Sequence, residues 1–303
     1  MPTRTVATWK ELVLGVLILG TLAGFLVLIV HHLRELSHRV ECQHRLQRIG
    51  LAMLAHHENR GVFPGEGGYG NESESLVIRG VGDEGQPMRL GLGVPYATPE
   101  TQSGSWLYQI LPYLNNDRLA QTRGSRGGGS DLVIQKVLCP SRGRPELLDT
   151  PATDPLLAGV SYESNPPGLM RWGRTDYAGN GRLLAKRGAA MVCICNTEPG
   201  LANAILIGEK ALDVRAYATG GWLLDGPALV GGPTCVRNGT SITRDACAAL
   251  TLDSPVRSGW GAAHYRGAHF LFAAGQVRLI QHDLSETTLK RLLGPSEGVG
   301  DLN

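Results

Sequence analysis

The chain begins with its most regular stretch of apolar positions. Leu12 to Val30 is 19 consecutive residues without a charge, rich in Leu, Val and Ile. At about 1.5 Å per residue, such a helix spans roughly 28 Å, close to the hydrocarbon thickness of a bilayer. A helix that is apolar on every face needs lipid around it, or protein on all sides. A cleaved secretory signal has a shorter apolar region, and no A-x-A-like site follows Val30. The pattern predicts one transmembrane helix.

Beyond the span the pattern narrows without breaking. Cys42, Leu46, Ile49 and Met53 are spaced 4, 3 and 4, with His, Arg and Gln on the other faces. That is the stripe of a helix with one buried side. It stops at Asn59-Arg60-Gly61, where Gly ends helices readily, with Pro64 just beyond. One helix from about Thr8 to His57 would run roughly 75 Å. Its first half belongs in lipid, and its second half lies against a soluble domain.

Further along, the period changes to that of strands. His269 to Phe272 and Val277 to Ile280 flank Ala273-Ala274-Gly275-Gln276, which predicts a β-hairpin with Gly275 supplying positive φ. Ala204 to Ile207 reads as a strand, and Glu209-Lys210 at its end reads as a solvated charge pair. Ser285 is placed to cap a short last helix carrying Leu289, Leu292 and Leu293 and ending at Gly294. Residues 61 to 104 are Gly-rich, with Glu66, Glu72, Glu74, Asp83 and Glu84 scattered through them. They read as an exposed loop or weak hairpin, and no D-x-D-x-D-G calcium register occurs. Residues 124 to 130 form a second flexible tip.

Composition narrows the function classes. The 303 residues suffice for one large domain or two small ones. Charged residues are 18% and aromatics 6%, with 41 Gly and 17 Pro, a composition of many turns and long loops. A net charge of +2, without a Lys/Arg cluster on a helix, gives no argument for nucleic acid, and no such partner is expected. No G-x-S-x-G, H-E-x-x-H or catalytic carboxylate pair is present, so no enzyme is expected. His31, His32, His38, His44, His56 and His57 all fall on the first helix and read as a solvated face and membrane edge. Six cysteines, at 42, 139, 193, 195, 235 and 247, form neither paired zinc knuckles nor a C-x-x-C motif. No metal or other cofactor is expected. Around the span, Arg4 and Lys10 precede it, while Arg34, Arg39, Arg45 and Arg48 follow. By charge alone the C-terminal side would be cytoplasmic.

Several blocks then recur in an order that carries a resemblance. Glu11 stands just before the apolar helix, and Gly20 follows nine residues later. Cys42-Gln43, Leu46-Gln47 and Ile49-Gly50-Leu51 come next, then Gly61-Val-Phe-Pro-Gly65. Ser105-Trp106 with Leu111-Pro112-Tyr113-Leu114 follows, then Leu138-Cys139-Pro140-Ser141. Thr175 to Asn180, Asn203 to Lys210, and Trp260-Gly261 with His264 through Ile280 complete the series. The chain resembles the pilin-like proteins with a prepilin-type N-terminal segment and a C-terminal domain of unknown function. A closing signature of His, nine residues and Asp-Gly also marks that family.

The resemblance implies an α+β, type IV pilin-like fold: a long N-terminal helix, half transmembrane, packed on an antiparallel β-sheet domain with long loops. Residues 1–32 would be the prepilin-like segment and span, 33–60 the soluble half of the helix, and 61–303 the globular domain. Because the family's globular part is exported, the resemblance overrides the charge count. It places a single pass in the inner membrane, the N-terminus in the cytoplasm, and the globular domain in the periplasm or at the cell surface. The implied partners are the lipid bilayer and other pilin-like subunits, or copies of the same chain, packed through the N-terminal helix at Glu11 and Gly20. Glu11 would pair with a neighbour's terminal amine, or else rest among the headgroups beside Lys10.

Two positions depart from the family pattern. Prepilin peptidase cuts after a Gly, and Val6, followed by Ala7, stands there. The closing signature reads His264, then Ala274-Gly275, with Ala in place of Asp. Two functional readings follow: a structural or assembly subunit, and an unprocessed, non-polymerising membrane-tethered binding module. In an exported domain an even cysteine count favours disulfides. Cys42 with Cys139 is the expected pair, tying helix to sheet, with Cys235 and Cys247 as the next local pair; free buried thiols are the alternative. His264 is expected to be a hydrogen-bonded structural His.

Overall fold

A computed structural model of the chain describes residues 9–68, 75–79, 88–91, 93–94, 97–98, 101–114, 136–149, 161–165, 171–184, 201–219, 225–247 and 258–294. Val6, Ala7, Cys193, Cys195 and the tip at 124–130 lie outside the described residues.

Helix α1 runs unbroken over Trp9–Arg60. Among the described residues it is the one helix long and apolar enough to cross a membrane, and none of its most apolar window is buried in the chain. This half is the membrane-anchoring helix. The other half buries Cys42, Leu46, Ile49 and Met53, the stripe that the spacing predicts. The helix closes where expected, with the Gly61 N–H donating to the His57 carbonyl at 2.8 Å.

The architecture is α+β. The strands are β1 (Ser75–Arg79), β2 (Met88–Gly91), β3 (Leu147–Asp149), β4 (Ser161–Asn165), β5 (Arg171–Gly173), β6 (Tyr177–Asn180), β7 (Ile205–Glu209), β8 (Val236–Arg237), β9 (Ile242–Arg244), β10 (Trp260–Ala262), β11 (Gly267–Phe272) and β12 (Val277–Gln281). The main sheet has the order β12-β11-β7-β6-β8. It is mostly antiparallel, but β8 runs parallel to β6, and β10 runs parallel to β9 in a separate pair. The sheet domain is therefore mixed rather than wholly antiparallel. β8 lies on the opposite side of β6 from β7, as an outer strand of this sheet.

Alternation along β11 explains the two layers of core. Leu271 joins Leu46, Ile49, Met53, Trp106 and Ile207 on the α1 side. Phe270 joins Ile205, Trp260, Leu289 and Leu293 on the other. The latter two leucines come from a short final helix, Glu286–Leu293, whose N-cap Ser285 accepts from the Thr288 N–H as its sequence predicts. The β11–β12 hairpin also forms, with Gly275 at φ +83° in the turn. Among the described residues between 61 and 104, β1 and β2 pair antiparallel, as the hairpin reading requires, and β4 extends them to a three-stranded antiparallel sheet.

Candidate functional site

The site lies where the soluble half of α1 meets the ends of β6, β7 and β10. Cys42 presents its thiol from the buried stripe of α1. Cys139 precedes a single 3₁₀ turn, Pro140–Arg142, with Pro at its start. The Cys139 N–H donates to the Asp176 carboxylate at the head of β6, and the Leu138 carbonyl accepts from the Arg45 guanidinium of α1. Glu209 ends β7, and His264 follows β10. One ligand-type atom from each of Cys42, Cys139, Glu209 and His264 lies within 4.8 Å of every other, and all four residues are buried.

The contacts inside this group are specific. The two sulfurs are 3.1 Å apart. His264 Nε2 is 3.4 Å from Cys139 Sγ and 3.6 Å from Glu209 Oε1. On its other edge, His264 Nδ1 is 2.8 Å from Glu35 Oε1 of α1. Ser141 Oγ donates to Glu35 Oε2 at 3.0 Å. Glu209 Oε2 accepts from the His269 N–H at 2.7 Å and lies 3.2 Å from His269 Nδ1.

Behind the group is a lattice of buried charge. Arg142 pairs with Asp176 at 2.8 Å and Asp245 at 2.7 Å. Arg144 bridges Asp176 and Asp225, while Arg174 and Lys210 both reach Asp225, Lys210 at 2.8 Å. Burial works against ionising Asp225 and Asp176, but the adjacent cations outweigh it. Asp225 is held well below the usual carboxylate range by Arg144, Lys210 and Arg174, and Asp176 is lowered by Arg142 and Arg144. Burial pushes Lys210 down to about 8 despite its partner. Within the thiol group, the Cys42 hydrogen bond lowers Cys139 to about 7, and the same contact raises Cys42. Burial pulls His264 down, but Cys139, Glu209 and Glu35 together raise it to about 9.

Several expectations are corrected here. Glu209 and Lys210 are not a solvated strand end; they are 0% and 2% exposed, because β7 is the middle strand of the sheet and its end is roofed by α1 and the 139–144 turn. Cys42 and Cys139 do come together, but as thiols, since 3.1 Å is well beyond the about 2.05 Å of a disulfide. Cys235 and Cys247 are also free thiols: Cys235 Sγ is turned inward onto the Glu66 and Gly232 carbonyls, whereas Cys247 is exposed. His264 is buried, with Nδ1 turned to Glu35. The residues His264 and Ala274-Gly275 are not brought together; they sit at opposite ends of β11, so the spacing of the signature measures one strand with its flanks. Glu11 and Gly20 lie in the apolar half of α1, remote from this group.

Sequence reasoning missed Glu35, Arg142, Arg144, Arg174, Asp225 and Asp245. The signal available was the set of ordered blocks, three of which hold Cys139, Asp176 and Glu209-Lys210. No curated protein and no solved structure matches the chain. A family profile described as a protein of unknown function (DUF1559) matches residues 31–286, which contain every member of the thiol group and of the charge lattice. That match covers most of the chain, and the protein belongs to the DUF1559 family.

Proposed function

We propose that the protein is a non-enzymatic, membrane-anchored, pilin-like or pseudopilin-like subunit of the cell envelope, or of a secretion or filament system. The observation that carries this reading is the division of α1: one half is bare and apolar, the other is built into the core of the sheet domain. A bare apolar half has two partners that suit it, lipid and the same half of a neighbour. Glu11 at its start stands where the resemblance implies an assembly residue. The reading sets the N-terminus in the cytoplasm and the globular domain in the periplasm or at the cell surface.

The second reading, an unprocessed tether carrying an extracytoplasmic binding module, is favoured by Val6 in place of Gly. Sequencing the mature N-terminus from envelope fractions separates the two. A chain beginning at Ala7 supports the subunit; an intact Met1 or Pro2 supports the tether. Protease added to spheroplasts should remove the globular domain, and its protection would overturn the orientation common to both.

A further inference from the structure

We propose that Cys42, Cys139, Glu209 and His264 bind one divalent cation of the zinc class, in a closed structural site that clips α1 to the sheet. The donor set suits a borderline-soft ion: two sulfurs, one imidazole nitrogen and one carboxylate oxygen. In a tetrahedron with metal–ligand distances of about 2.0–2.3 Å, neighbouring donors lie roughly 3.3–3.8 Å apart. The separations here are 3.1 Å between the sulfurs, 3.4 Å from Cys139 Sγ to His264 Nε2, and 3.6 Å from His264 Nε2 to Glu209 Oε1. The other pairs lie within 4.8 Å, so side-chain shifts of about 1 Å bring all four donors to tetrahedral spacing.

A second observation points the same way. Glu209 is fully buried, and its Oε1 has no hydrogen-bond partner among the described residues, although it points at His264 Nε2. A buried carboxylate oxygen left unmatched is costly, and a cation at the centre of the group would meet it.

The surroundings are those of a supported metal site. Metal-ligating His residues commonly direct the other ring nitrogen at a carboxylate; His264 Nδ1 faces Glu35 Oε1 at 2.8 Å, which leaves Nε2 free to ligate. Glu209 is oriented through Oε2 by the His269 N–H, and Cys139 by its own N–H on Asp176. Two thiolates and a carboxylate around a doubly charged ion leave one negative charge. The lattice behind, four cations (Arg142, Arg144, Arg174, Lys210) against three carboxylates (Asp176, Asp225, Asp245), carries one positive charge in return. Binding displaces the thiol protons and the His264 Nε2 proton to solvent, and no electron is transferred. A Cys42–Cys139 disulfide would use the same sulfurs but leave Glu209 Oε1 unmatched.

The test is a cobalt(II) titration of the full-length protein in detergent after reduction. The expected result is one cobalt per chain with the visible bands of a tetrahedral ion and a sulfur-to-cobalt charge-transfer band, both erased by zinc. His264→Cys should strengthen the charge-transfer band by about half, from two thiolates to three. Glu35→Gln, at a partly exposed residue outside the donor set, should weaken binding by roughly tenfold or more. The proposal is overturned if folded wild-type protein gives no such spectrum, or if Cys42→Ser titrates like wild type. It is equally overturned if protein taken from its own membranes without reductant has Cys42 and Cys139 bonded to each other.

Discussion

Gly50 of α1 lies directly against Leu271 of β11, so close that a Cβ on the glycine would fall 2.7 Å from the leucine Cδ1. This contact sets how deeply the helix beds into the sheet. Replacing Gly by Ala inside a helix gains about 1 kcal/mol from propensity, which opposes the cost of moving one Leu methyl. We expect Gly50→Ala to stay within about 1 kcal/mol of wild type. Gly50→Val adds two more carbons with no room for them and should lose about 2–3 kcal/mol. Thermal unfolding in detergent checks both; a Val variant as stable as wild type would show that α1 does not bed at this point.

Asp225 answers three buried cations, Arg144, Arg174 and Lys210. Asp225→Asn removes the counter-charge and leaves the cations in place, the costly way to break a buried pair, at about 3–5 kcal/mol. The fully exposed pair Lys290–Glu286 is the control, and its loss should leave denaturant midpoints unmoved.

His56 gives the fold a pH dependence of known sign. Burial lowers it from 6.5 to about 4, while Nδ1 stays 3.0 Å from the Val62 carbonyl, so the folded chain holds it neutral. With the folded value below the unfolded one, its contribution is full above about pH 6.5 and is lost as pH falls towards about 4. The slope is at most about 1.4 kcal/mol per pH unit, for a total on the order of 3 kcal/mol. Subtracting the stability–pH curve of His56→Gln isolates this term from the carboxylates. A difference that stays flat between pH 6.5 and 4 would contradict the assignment.

Gly20 sits near the middle of the uncharged run and presents no neighbour within 4 Å. Gly20→Arg should cost about 2.5–3.5 kcal/mol of insertion and shift the chain out of carbonate-washed membranes. Gly20→Leu should insert normally. If the subunit reading holds, Leu should reduce cross-linking between N-terminal helices, because small residues allow close helix approach.

The sequence by itself determined the elements whose causes are local. The apolar run, the stripe through Cys42, Leu46, Ile49 and Met53, the hairpin around Gly275 and the Ser285-capped helix each follow from a period or a cap that a few neighbouring residues contain. The tertiary structure decided which polar residues left water. Glu209 and Lys210 follow an apolar strand, and nothing nearby in the chain tells whether that end is roofed. The roof comes from α1 and the 139–144 turn. Cys42 meets Cys139 across 97 residues, and Cys139 meets His264 across 125. Periodicity reports which side of its own element a residue faces, not what stands opposite. The thiols, His264, Glu35 and Glu209 become one group only when helix, turn and strands close on one another.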